Sequence, residues 1–146
     1  METAFQRVAP ISQERVIAAL KGLGLVYFVD SVGDLGMFYN ECVIWFHFAG
    51  NDEKVLMLHA DPFRDVPIEE IAPFRKFINY WNGKSYWPRV YPSINDVGIV
   101  RARCDHSINC DQGISDAQLV AQIILFMSTS RDFYQELEAK RKSGWQ

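Results

Sequence analysis

The chain has 146 residues, 49% hydrophobic and 23% charged, with a formal net charge of −3. That balance describes one globular domain able to bury a core without metal or disulfide staples, and it excludes intrinsic disorder. The acidic balance argues against global electrostatic attraction to nucleic acid, while an aromatic content of 14% asks for an explanation of its own.

Ser12 is a helix N-cap, and Val16, Ile17, Leu20 and Leu23 follow at helical spacing until Gly24 stops the run. Residues 25–30, β-branched and aromatic, read as a strand. Val32 to Gly36 reads as a turn, and Met37-Phe38-Tyr39 resumes an extended course. Residues 41–49 form a nearly continuous apolar strand with little alternation, which predicts a central position. By strand alternation Trp45 and Phe46 lie on opposite faces. Gly50-Asn51-Asp52 marks a hairpin turn, and residues 54–60 return as a strand. With prolines at 62 and 67, residues 61–67 read as a loop across the sheet edge. A short turn follows at 68–71, then a helix from Pro73 to Asn82 with Phe74, Phe77, Ile78 and Trp81 on one stripe, ended by Gly83. Residues 90–94 alternate as a strand that Pro92 confines to an edge or bulge. Residues 99–106 are the last strand. Ser115 and Gln118 then form a capping box that opens a helix running to Ala139, and residues 140–146 read as a frayed basic tail. The order α-βββ-α-ββ-α predicts a single α+β domain, an antiparallel sheet flanked by helices.

No apolar stretch approaches the ~20 residues of a membrane span, and the first ten residues carry no signal-peptide core. Three cysteines, Cys42, Cys104 and Cys110, lack any C-x-x-C spacing and fit a reducing, cytoplasmic setting. No phosphate-binding glycine loop and no nucleophile elbow is present. Cys104, His106 and Cys110 have soft-ligand spacing for zinc, and a small zinc-dependent enzyme is the rival reading, but they lack a fourth ligand nearby, and buried thiols beside a strand histidine explain them as well. Tyr86, Trp87, Arg89 and Arg101 mix stacking surface with charge, as a single-stranded nucleic-acid site would. A solvent-facing sheet surface explains them too, and an acidic chain favours it. Aromatics concentrate instead in residues 38–48 and 81–91, and a strand apolar on both faces needs cover on both. The expectation is therefore a protein-binding module, possible as a homodimer, with no catalytic residues, no cofactor and no membrane partner.

The segment Trp81-Asn82-Gly83-Lys84-Ser85-Tyr86-Trp87-Pro88-Arg89-Val90-Tyr91 resembles the W-N-x-x-x-x-W-P-K/R-x-Y stretch of the YbjN family, bacterial domains bearing the label of sensory transduction regulators. Gly113 to Leu119 is similar to the family's G-x-[ST]-x-x-Q-L stretch, and the helix at 15–20 followed by Gly24 to Tyr27 matches its opening. The resemblance covers roughly residues 11 to 138. It implies a fold like that of type III secretion chaperones and a non-enzymatic binding or regulatory role. It supplies no catalytic residues, and Cys104, His106 and Cys110 stand outside the pattern. Trp45 from the central strand, with Trp81, Asn82, Tyr86, Trp87, Pro88, Arg89 and Tyr91 from the motif, are the candidate interface residues. For Trp81, Asn82, Trp87 and Pro88 a purely structural role is the stronger expectation, with Trp81 as core anchor, Asn82 as helix terminus and Pro88 as strand entry.

Overall fold

Hydropathy along the central strands hides an alternation that packing makes plain, and that alternation sets the architecture. The computed structural model describes residues 1–146. Its strands are β1 (Val8–Ala9), β2 (Tyr27–Val29), β3 (Leu35–Tyr39), β4 (Cys42–Ala49), β5 (Val55–Pro62), β6 (Arg89–Ile94), β7 (Val100–Asn109) and β8 (Ile114–Ser115). Its α-helices are α1 (Gln13–Gly22), α2 (Ile71–Lys84) and α3 (Asp116–Lys142). Six strands form one antiparallel sheet in the order β2-β3-β4-β5-β7-β6, and β1 pairs with β8 in a separate two-stranded ribbon. This is a single α+β domain with all three α-helices on one side.

Cys42, Ile44 and Phe46 of β4, Leu56, Leu58 and Ala60 of β5, and Val100, Ala102 and Cys104 of β7 point to that side. They join Val16 and Leu20 of α1, Phe74, Phe77, Ile78 and Trp81 of α2, and Leu119, Ile123, Phe126 and Phe133 of α3 in one core cluster. The opposite set, Val43, Trp45 and His47 of β4 with Val55, Met57, His59 and Asp61 of β5, is only partly covered. Side chains alternate across a strand, so β4 has one helix-covered face and one bare one.

The helix ends follow the expected chemistry. Ser12 Oγ accepts from Arg15 N–H. Ser115 Oγ accepts from Gln118 N–H at 3.1 Å while Gln118 Oε1 accepts from Ser115 N–H at 2.9 Å, the reciprocal pair of a capping box. Gly24, with φ 71, ends α1 in the left-handed conformation, with Gly24 N–H to Lys21 O and Leu25 N–H to Leu20 O. Pro92 pairs with Ala102 in an edge strand, as its missing donor requires.

Beyond the β1–β8 ribbon, which no local pattern announces, and the extension of β7 to Asn109, four features differ from the expectation. Leu35–Tyr39 is a full strand, so four strands lie between α1 and α2 rather than three. Asp61 and Pro62 extend β5 instead of starting a loop, because β7 pairs with β5 only as far as Ala60 and leaves Pro62 no partner on that side. Helix α2 passes through Gly83 and ends at Lys84, since Ser85 is the first residue with extended backbone. Residues 143–146 are not frayed. Gly144, with φ 68, closes α3 in a Schellman motif: Gly144 N–H donates to Arg141 O, and Trp145 N–H to Lys140 O. Trp145 then packs against Phe74 and Phe77 and donates from Nε1 to Glu70 at 2.9 Å. No helix is long and apolar enough to cross a membrane.

Candidate interaction surface

The bare face of the sheet is built from cross-strand rows. The register places Phe28, Gly36, Trp45, His59, Asp105 and Arg89 in one line across all six strands. Gly36 is what lets the line close. A Cβ there would lie 2.7 Å from Phe28 Cζ and 3.1 Å from Trp45 Cε3, so only glycine admits the edge-on contact of the two rings, 5.4 Å between centroids. Phe38 sits against Phe28 at 5.1 Å and against Phe63 at 6.2 Å. Phe38 is 68% exposed and Phe63 56%. One half of the face is thus aromatic and unroofed.

The other half is charged and self-neutralised. Arg89 forks onto Asp105 with bonds of 2.8 and 2.5 Å. Arg101 reaches Asp65 at 2.9 Å, and Arg103 lies 3.4 Å from Asp61. The Arg89 guanidinium also lies over the Tyr91 ring at 5.3 Å. Between the halves, the His47 and His59 rings meet edge-on at 4.7 Å, and Trp45 stacks on His47. His59 Nε2 is buried and has no hydrogen-bond partner. Burial lowers the His59 pKa below its ordinary value, and His47 and Arg103 push the same way, against Asp61 and Asp105.

The candidate residues separate into three groups. Trp45, Arg89 and Tyr91 lie on the bare face. Trp81, Asn82 and Pro88 bind α2 to β6: Trp81 is 4% exposed and donates from Nε1 to Pro88 O at 3.2 Å. The Asn82 amide donates to Val90 O at 2.9 Å while its oxygen accepts from Val90 N–H at 3.1 Å. Asn82 therefore completes the outer edge of β6, more than the helix-terminal role its position suggests. Tyr86, 90% exposed, and Trp87, 44% exposed, meet at a tilt of 53° in the connecting turn. Trp87 meets His106 edge-on, away from the bare face.

Cys104 and His106 share the helix-covered face of β7, as their spacing requires, but no three His, Cys, Asp or Glu side chains converge as metal ligands. His106 Nε2 is engaged by Gln122 Oε1 at 2.7 Å. Burial pushes the Cys104 thiol pKa up and that of Cys110 as well, the reverse of what a reactive thiolate needs. Nothing local in the sequence marks the Phe28–Trp45 contact, the histidine pair or the internal pairing of charges. Val43, Trp45 and His47 at alternate positions were a signal for the bare face, but apolar neighbours on the other side of the strand masked it.

A sequence model of the YbjN family, described as "Putative bacterial sensory transduction regulator", matches residues 12–139. Among solved structures, the chain resembles the crystal structure of YbjN, "a putative transcription regulator" from E. coli. The TM-score is 0.80 at 13% identity, covering 92% of this chain and 96% of that one, so the likeness is one of fold. No curated protein matches the chain.

Proposed function

The chain belongs to the YbjN family, and from that premise we propose that it is a non-enzymatic protein-binding module with a regulatory or chaperone-like role. It docks its partner on the bare face of the sheet, and a second copy of the chain is the occupant we assign. The observation that carries this reading is the aromatic half of that face: Phe28, Phe38, Trp45 and Phe63 touch one another with no element above them. Exposed aromatic surface of this kind is costly in water and typical of interface cores.

The charges on the same face favour protein over nucleic acid. Arg89, Arg101 and Arg103 each meet a carboxylate, so a phosphate backbone would have to compete with Asp105, Asp65 and Asp61 for them. A neutralised, half-aromatic face suits another folded surface. The three cysteines are free and buried, which fits a cytoplasmic setting.

Sedimentation equilibrium tests the reading. The wild-type protein should associate with rising concentration, and Phe38→Asp, at a site 68% exposed in the single chain, should remain a monomer with an unchanged far-UV spectrum. A wild-type protein that stays monomeric, or a Phe38→Asp variant that associates as tightly, overturns it.

A further inference from the structure

A cavity of about 240 Å³ opens on the other side of the sheet, where the β3–β4 turn and the end of β5 meet the last turns of α3. Its floor is formed by small or apolar side chains: Cys42, Val66, Ala102 and Leu137. Burial pushes the Cys42 thiol up to about 12, so the floor carries no charge at neutral pH. The mouth is charged, with Glu41, Asp65 and Glu138 facing Arg64, Arg141 and Lys142 around it.

Two details of the mouth point to a ligand. Arg141 is 22% exposed, yet its guanidinium is poorly used. Its nearest carboxylate oxygens are Glu70 at 3.5 Å and Glu138 at 3.9 Å, and its Nε is buried with no hydrogen-bond partner. A guanidinium has five N–H donors in a planar fork suited to a carboxylate, and most of these remain unclaimed. Glu41, at the rim, has φ 64, and it follows Asn40 with φ 50, in a two-residue hairpin turn between β3 and β4. Glycine is the favoured residue at that second position. The glutamate kept there holds Arg64 at 3.2 Å, and Arg64 in turn reaches Glu138 at 3.4 Å. Arg64 is thereby occupied, and of the two other cations at the mouth, Arg141 and Lys142, only Arg141 carries the planar fork. The apolar floor beneath a strongly polar rim suits a small amphiphilic molecule, with its tail inward and its charged group at the mouth.

We infer that this cavity binds a small organic carboxylate with an apolar tail, the carboxylate on the Arg141 fork and the tail over Cys42, Val66, Ala102 and Leu137. A free carboxylic acid and a zwitterionic amino acid share this chemistry. In the second case Glu138 would receive the ammonium group.

Isothermal titration calorimetry with isovalerate, L-leucine and isopentylamine tests the assignment, because the three share one branched tail and differ in the charged group. Heat from isovalerate supports the inference for simple carboxylates, and heat from L-leucine alone supports it for zwitterions. Arg141→Gln should weaken either by about tenfold or more, and Arg141→Lys, which keeps the charge and loses the fork, should weaken it less. Retained far-UV spectra separate lost binding from lost folding, and the lysine variant keeps the comparison available if the glutamine variant does not fold. Absence of heat from both carboxylates, isopentylamine binding as well as isovalerate, or wild-type affinity in Arg141→Gln overturns it.

Discussion

His59 illustrates how much one side chain depends on neighbours that are remote in sequence. Its Nε2 lacks a hydrogen-bond partner, its ring touches His47, and Arg103 stands nearby, so its pKa is lowered, chiefly by burial. In the unfolded chain the imidazole titrates near its ordinary value of about 6.5. Between that value and the lower folded one, the unfolded state binds more protons. Stability therefore falls as pH drops through this window and is fully present above it. Urea unfolding at about pH 7 and about pH 5 should show this loss in the wild type and a smaller one in His59→Gln. Equal losses in the two proteins would contradict the assignment. The residue types at 47 and 59 were visible in the sequence, but their meeting depends on the β4–β5 register, which pairs His47 with Met57 and Trp45 with His59.

At the scale of elements, the junction from α2 to β6 was legible as a motif and only partly legible as a structure. Trp81 as core anchor followed from its place in the helical stripe with Phe74, Phe77 and Ile78. The double hydrogen bond from Asn82 to Val90 did not, because it spans a turn and uses the backbone of an edge strand. Val90 is buried, so Asn82→Ala leaves both of its backbone groups unpaired. The expected cost is about 1–3 kcal/mol of unfolding free energy, measured by urea denaturation. A loss below about 0.5 kcal/mol, the size of an ordinary surface change, would mean that water replaces the amide. The C-terminal residues show the opposite case. Lys140 to Gln146 looks like a solvated tail by composition, yet Gly144 turns the chain so that Trp145 covers Phe74 and Phe77.

For the whole molecule, the layering fixes where stability should concentrate. β4, β5 and β7 are flanked by strands on both sides and lie under the helices, while β2 is a three-residue edge strand. Amide hydrogen exchange should therefore be slowest in β4, β5 and β7 and fast in β2 and in the β1–β8 ribbon. Protection in β2 equal to that in β5 would show that the sheet opens only by global unfolding.

The sequence by itself determined the three helices and most of the strands, the α+β class, the capping box at Ser115 and the family resemblance, because each rests on local periodicity, cap chemistry or a contiguous motif. It also marked β4 as central and apolar on both sides. Only the tertiary structure decided which of those sides is bare. All three α-helices pack on the face of Cys42, Ile44 and Phe46, leaving Trp45 and His47 outward. The same packing made Asn82 a clamp, neutralised Arg89, Arg101 and Arg103 across the strands, and opened the cavity beneath Arg141. These outcomes depend on cross-strand register and helix placement, which bring together residues far apart in the chain and which no local pattern encodes.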